Sequence, residues 1–256
     1  MSNYQRNTSM VVCIFAVLVI GAISVGLLAY YGTNFSNWNF NPNTTVFSFE
    51  DAVGTTNETV TLDIDIAAGG VSVVFVDNES LLYSITLEVQ NSTLETQGDP
   101  TVTFASNTIG VNYAAAGVNV TLGSGVNYTL NIHAAAGGVD VALSDGAHVG
   151  DITIAVTTGG INLEMSDDVV LLGNATFDLS TTTGGISILA DLPTGVGGSV
   201  ECTTTLGSIN LTAAGWIQVT SSTSHVYYKT TDYGTASQTL TIFAEATTGG
   251  ISAVVT

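Results

Sequence analysis

The sequence predicts an all-β fold: a β-solenoid of about nine coils of about 22 residues each, preceded by one N-terminal transmembrane helix. Three observations carry this expectation. A Gly-Gly corner recurs along the chain, apolar residues alternate on both sides of each corner, and Met10–Tyr31 is a run without charge. The alternative is an antiparallel β-sandwich, in which each Gly-Gly would be a two-residue hairpin turn.

Residues 1–9 hold Arg6, the one basic residue flanking the apolar run, and are expected on the cytoplasmic side. The run itself, "MVVCIFAVLVIGAISVGLLAYY" at 10–31, has the length that a hydrocarbon core of about 30 Å requires at helical rise. Tyr30 and Tyr31 stand where an interfacial aromatic belt would lie. A cleaved signal peptide is the rival reading, through the small-x-small site Ala22–Ser24. The apolar run continues for seven residues past that site, which favours an uncleaved signal anchor. The expected localisation is therefore the cell membrane, single-pass, with the C-terminal domain extracellular. Cys13 in the helix and Cys202 in the outer part then cannot pair within one chain.

Residues 32–59 are rich in Asn and Thr and include Pro42, the composition of a polar stalk or an N-terminal cap. Trp38, Phe40, Phe47 and Phe49 alternate there, as expected of a strand that covers the first coil.

Residues 60–256 are the repeat domain. Reading backwards in steps of two from the first glycine of a corner gives Ile66, Ile64 and Leu62 before Gly69, and Val156, Ile154 and Ile152 before Gly159. Reading forwards from the second glycine gives Val71 and Val73, or Ile161 and Leu163. Each side is an alternating strand. The corners are Gly69–Gly70, Gly117 with Ala116 in the first place, Gly137–Gly138, Gly159–Gly160, Gly184–Gly185, Gly207 and Gly249–Gly250. At "TLGSINL" the leading strand reads as slipped by one residue. Two long gaps are expected to hold degenerate coils near Ile85–Gln97 and Trp216–Lys229. Stacked coils would place like corners over like, and glycine leaves no Cβ between them.

Composition narrows the function. The chain has 21 acidic residues against two basic ones, a formal charge of −19, so it lacks the cations that nucleic-acid binding needs. Asn-x-Ser/Thr acceptors stand at Asn34, Asn43, Asn57, Asn78, Asn91, Asn119, Asn127, Asn174 and Asn210, candidate glycosylation sites of an exterior domain. His133, His148 and His225 show no ligand spacing, and no metal or other cofactor is expected beyond a weak Ca²⁺ site around Asp140, Asp145 and Asp151. A polysaccharide lyase needs a cation beside the substrate carboxylate, and a hydrolase needs convergent carboxylates. Lys229 is the one Lys or Arg after the apolar run, and the adjacent pair Asp167–Asp168 reads as an acidic turn, so no enzyme is expected.

The corners "AAGGVSVVF", "AAAGGVDVAL", "TTGGINLEM" and "TTGGISIL" resemble the putative-adhesin family of bacterial and archaeal β-solenoid domains, whose short strands alternate around Gly-containing turns. The resemblance covers roughly Leu62–Thr256 and implies a cell-surface protein with an adhesive or structural role, without catalytic residues. The expected function is a membrane-anchored, glycosylated, adhesin-like surface protein, as a stalk, filament or surface-layer subunit. The alternative is an extracellular glycan- or solute-binding module, with a polysaccharide enzyme as a remote third. Partners would be the membrane, through the N-terminal helix, and further copies of the chain. "TTGGISAVVT" runs to residue 256, so its strand is the expected docking edge. The adhesion partner itself stays open.

Overall fold

The structure, a computed structural model, describes residues 43–55 and 58–256. Residues 41–256 form a compact unit built almost wholly of strands. The alternation legible in the sequence places every second side chain inwards, and two sheets bury those side chains against one another.

Sheet A has nine strands in the order β1 (Thr44–Ala52), β4 (Leu81–Gln90), β7 (Gly117–Gly123), β3 (Val71–Val76), β9 (Val139–Leu143), β11 (Ile161–Met165), β14 (Ile186–Ala190), β20 (Ile251–Val255) and β16 (Ile209–Ala213). Sheet B has eleven. Ten of them run in the order β17 (Ile217–Ser221), β18 (His225–Lys229), β15 (Val196–Leu206), β19 (Gln238–Thr248), β13 (Ala175–Thr183), β10 (His148–Thr158), β8 (Tyr128–Ala136), β2 (Val60–Ala68), β6 (Thr108–Ala115) and β5 (Val102–Ala105). The short β12 (Val170–Leu171) pairs with β10. The one helix among the described residues is α1 (Asn91–Gln97).

The central strands of both sheets pair in parallel, and the pairings at the ends are antiparallel: β1 with β4 and β4 with β7 in sheet A, β5 with β6, β15 with β18 and β17 with β18 in sheet B. Register is kept through sheet A apart from an irregularity at Asp51/Ala52 in β1. One inward row leads from Phe47 in β1 through Leu87, Val118 and Val71 to Ile186, Ile251 and Ile209 in β16. The core is almost purely aliphatic. Tyr128 is an exception: it is fully buried, meets Phe75 edge to face at 5.6 Å, and donates its hydroxyl to the Leu82 carbonyl at 2.6 Å.

Each corner carries the chain from sheet B to sheet A, and the corners lie one on another in the order 207, 249, 184, 159, 137, 69, 116. Glycine is required there by close approach. A Cβ at Gly184 would lie 1.5 Å from the Gly159 carbonyl oxygen, one at Gly137 would lie 1.6 Å from that of Gly69, and the backbone φ at these two positions is +154° and +139°. Each first-position glycine faces the neighbour on the β6 side. Ala116 is the last corner in that direction, which is why an alanine fits it. Backbone hydrogen bonds run through the corners, for example Gly137 N–H to the Thr158 carbonyl at 2.9 Å and Val139 N–H to the Gly160 carbonyl at 2.9 Å.

The fold class expected from sequence is corrected here. The described chain is not a solenoid of about nine successive coils but a two-layered, sandwich-type all-β fold of two large mixed sheets. Neighbours in the sheets do not follow chain order: β8 lies beside β2, with β6 on the far side of β2, and β19–β20 fill the place between β13–β14 and β15–β16. The stretches expected to be degenerate coils form antiparallel strands and α1 instead. Periodicity states which side chains face inwards and which corners can meet; it does not state which copy meets which. Glycine also does not make hairpin turns, since the two strands flanking each corner belong to different sheets. Nor is the strand before Gly207 slipped. Val200, Cys202 and Thr204 pair with Ile242, Ala244 and Ala246, and the Thr204 hydroxyl donates to the Gly249 carbonyl at 3.2 Å.

The expected single-pass localisation is likewise corrected. Among the described residues no helix is long and apolar enough to cross a membrane; α1 has seven residues, none of them buried. The segment 10–31, with Cys13, lies outside the described residues. Residues 32–59, expected as stalk or cap, supply β1, whose Phe47 and Phe49 pack against the core.

Candidate functional site: a polar groove on sheet B

The outward faces of both sheets carry Thr, Ser, Asn and Asp in rows fixed by the same register. On sheet B one row passes from Asn131 in β8 to Asp63 in β2 and Gly110 in β6, and the next from His133 to Asp65 and Asn112. Gly110 interrupts its row. Where the neighbouring strands project side chains it projects none; the Thr103 hydroxyl leans in to 2.8 Å from where a Cβ would stand, and a groove of about 330 Å³ lies alongside. Asp63, Asp65, Asn112, Asn131 and His133 line one part of it, and Thr101 and Thr103 another. Most of its lining stands on β2, β6 and β8, with Thr101 just before β5.

Cross-strand bonds fix the polar groups. Asn131 Nδ2 donates to Asp63 Oδ1 at 2.7 Å, and His133 Nδ1 meets Asp65 Oδ1 at 2.9 Å. His133 and Asp65 are both about half exposed, so this pair contributes little to stability. Each bond engages Oδ1 of its carboxylate. The amide of Asn112 and the hydroxyls of Thr101 and Thr103 add further donors and acceptors. The lining is thus polar, with two carboxylates and no Lys or Arg.

The residues singled out from sequence are distributed otherwise. Asn43, Asn78, Asn91, Asn119, Asn174 and Asn210 are exposed and Asn127 is half-buried, while Asn34 and Asn57 lie outside the described residues. Asn78, Asn91 and Asn174 already use Oδ1 as an acceptor, from Ser80, Thr45 and the Thr239 N–H respectively. All the corner glycines, from Gly69 to Gly250, stand in the corner column and serve packing. The three aspartates considered for Ca²⁺ are each engaged separately. Asp140 accepts from Asn162 at 2.9 Å, Asp145 from Ser144 at 3.3 Å, and Asp151 from the Thr176 N–H at 2.9 Å. Burial holds the Asp140 carboxyl above its ordinary pKa against the Asn162 hydrogen bond, with the Glu164 charge adding to the rise. Among the described residues no group of three or more His, Cys, Asp or Glu side chains can hold a metal ion. Asp168 accepts from Ser166 in its own turn and from the Gly146 N–H of the turn after β9, and the Ser166 bond leads in lowering its pKa.

Sequence reasoning missed the groove. His133 was legible as an outward residue, but its juxtaposition with Asp65 needs β8 beside β2, which are 68 residues apart in the chain. A glycine at an outward strand position, Gly110, was the one available signal.

No family model and no curated protein matches the chain. Among solved structures, a crystal structure described as a putative cell adhesion protein from Clostridium sporogenes superposes with a TM-score of 0.60 at 13% identity, covering 83% of this chain and 100% of that one. A putative adhesin from Bacteroides fragilis covers 84% of this chain and 98% of its own at 7% identity, with a TM-score of 0.30. One from Parabacteroides distasonis covers 83% and 97% at 8% identity, with a TM-score of 0.26. The likeness to the clostridial protein is one of fold.

Proposed function

We propose that this protein is a non-enzymatic, adhesin-like surface protein that presents a rigid two-sheet body and contacts polyhydroxylated ligands through the Gly110 groove. The observation that carries this proposal is the groove itself, where cross-strand bonds hold acceptors and donors in place on β2 and β8. The fold shared with a protein described as a cell adhesion protein supports the same reading. So does the surface position of the seven described Asn-x-Ser/Thr acceptors, which suits a glycosylated exterior domain.

The test couples full-length protein to beads and measures retention on a glycan array and on intact cells, in parallel with an Asp63→Ala/Asp65→Ala variant. Loss of two charge-assisted acceptors is expected to weaken retention about tenfold or more while leaving the thermal transition in place. Equal retention by both proteins would remove the groove from the proposal, and no retention by either would remove the adhesive function. Mass-spectrometric mapping of the seven acceptors in protein from the native host checks glycosylation separately.

A further inference from the structure

The strand expected as a docking edge, β20, lies between β14 and β16 and has no free flank. The outward face of sheet B differs from that of sheet A in two ways. No Asn-x-Ser/Thr acceptor stands on any of its strands, whereas Asn119 and Asn210 stand exposed on β7 and β16 of sheet A. It also carries Phe243, which is 40% exposed and is the one exposed Phe, Tyr or Trp among the described residues. The neighbours of Phe243 along β19, Ile242 and Ala244, are the inward residues, so its ring adds nothing to the core.

Register sets what surrounds the ring. Glu201 in β15 and Asp178 in β13 lie opposite Phe243 on either side, and Glu245 follows two residues on, on the same face. Asp178 and Glu245 make no side-chain hydrogen bond or ion pair among the described residues, while Glu201 meets His225 Nε2 at 2.9 Å. The Tyr233 hydroxyl lies 2.8 Å from Thr241 Oγ1, which brings a second ring to this face at the preceding outward position of β19. The row of Phe243 leads on to the Gly110 groove. It passes Asp178, Thr153 and Asn131 and reaches Asp63 in four strand steps, about 19 Å at about 4.8 Å each. Only small polar side chains stand between the ring and the groove.

We infer that sheet B holds a linear oligosaccharide laid across its strands, with one sugar stacked on Phe243 and the chain running along this row into the groove. The inference rests on the groove being a sugar site and extends that site into a track. An aromatic ring gives the C–H face of a pyranose a flat apolar partner, and the flanking carboxylates and amide accept from and donate to its hydroxyls. In a β-1,4-linked chain each unit advances by about one strand step, so successive sugars meet successive strands. Charge narrows the class. Asp63, Asp178, Glu201 and Glu245 border the track, and the one Lys or Arg among the described residues, Lys229, stands on β18, beyond β15. A uronate or sulfated chain is repelled, which leaves a chain without acidic groups.

The test measures binding of fluorescently labelled β-1,4-linked glucose and N-acetylglucosamine dimers and hexamers to the full-length chain. In at least one series the hexamer is expected to bind about tenfold or more tightly than the dimer. Phe243→Ala is expected to bring the hexamer down to the level of the dimer, and Phe243→Tyr to keep it high, with the thermal transition unchanged in both because the side chain is exposed. A hexamer no tighter than its dimer, or one indifferent to Phe243→Ala, overturns the track; dimer binding that Asp63→Ala/Asp65→Ala abolishes would at the same time uphold the groove. Hexagalacturonate, an acidic chain of the same length, is expected not to bind, and equal binding by it overturns the charge selection. A lysine hexamer that binds more tightly than both sugar hexamers, with or without the Phe243 ring, would make the partner a basic peptide and also overturn the track. Absence of binding by every sugar overturns it too, with the glycan array then deciding the groove by itself.

Discussion

Adding one Cβ at Gly137 brings it 1.6 Å from a carbonyl oxygen on a backbone whose φ is +139°, so the corner column has no slack for a methyl group. Gly137→Ala is expected to destabilise the protein by about 3 kcal/mol or more, from backbone strain and overpacking together. A lower denaturant midpoint at unchanged slope is the readout. Ala116 has no corner on the side its methyl faces, and Ala116→Gly is expected to cost about 1 kcal/mol. Equal losses at the two positions would contradict the directional contact. Cys202 makes a second residue-level case. Burial, followed by the Glu201 charge, pushes its thiol from 9.0 up to about 12. The folded chain therefore holds the proton more tightly than the unfolded one. The stability from this group is complete below pH 9 and declines as pH rises towards 12. In a Cys13→Ser chain no labelling by a thiol reagent is expected at pH 8 until denaturant is added, when one equivalent should react.

At the level of elements, the hairpin of β17 and β18 stands at one end of sheet B. It extends sheet B beyond β15 by antiparallel pairing and carries the exposed Ile217 and Val219. Its anchor is Trp216, whose ring lies over Gly198; a Cβ there would stand 2.5 Å from the ring. Trp216→Ala is expected to raise amide exchange in β17 and β18 by about tenfold or more and to leave β8, β10 and β13 unchanged. Uniform loss of protection would mean that the hairpin and the body fold as one. This hairpin also shows where sequence reasoning stopped. Residues Trp216–Lys229 were expected to be a coil because a gap of twice the period needed filling, yet without a Gly-Gly corner nothing turns the chain into sheet A. Antiparallel return along β15 satisfies its backbone instead. In contrast, the strands around Gly69, Gly137 and Gly159 were legible to the residue, because burial on one face imposes strict alternation.

For the whole molecule, the legible part was the inside and the illegible part was adjacency. Corners and inward rows are dictated locally, by sterics and by burial. The neighbours of a strand are set by pairings 68 residues apart, such as Thr61 with Thr129, and a uniform repeat offers many equivalent partners. The groove depends on one such pairing, so it was invisible until β8 lay beside β2. The charge of −19 was legible and acts on the whole body as mutual repulsion between copies, leaving short-range contacts to decide what they bind.

The position of β19 and β20 has a consequence for how the chain reaches this form. The ribosome makes β13–β14, then β15–β16, then the β17–β18 hairpin, and only afterwards the two strands that separate the first pair from the second. Until those residues emerge, β13 and β15 have matching flanks and can join directly, a nearly correct sandwich with one layer missing. Completion then requires that shortcut to open. Folding is expected to be slow and dominated by non-local contacts, with its rate-limiting event late in the chain rather than at the nucleating repeats.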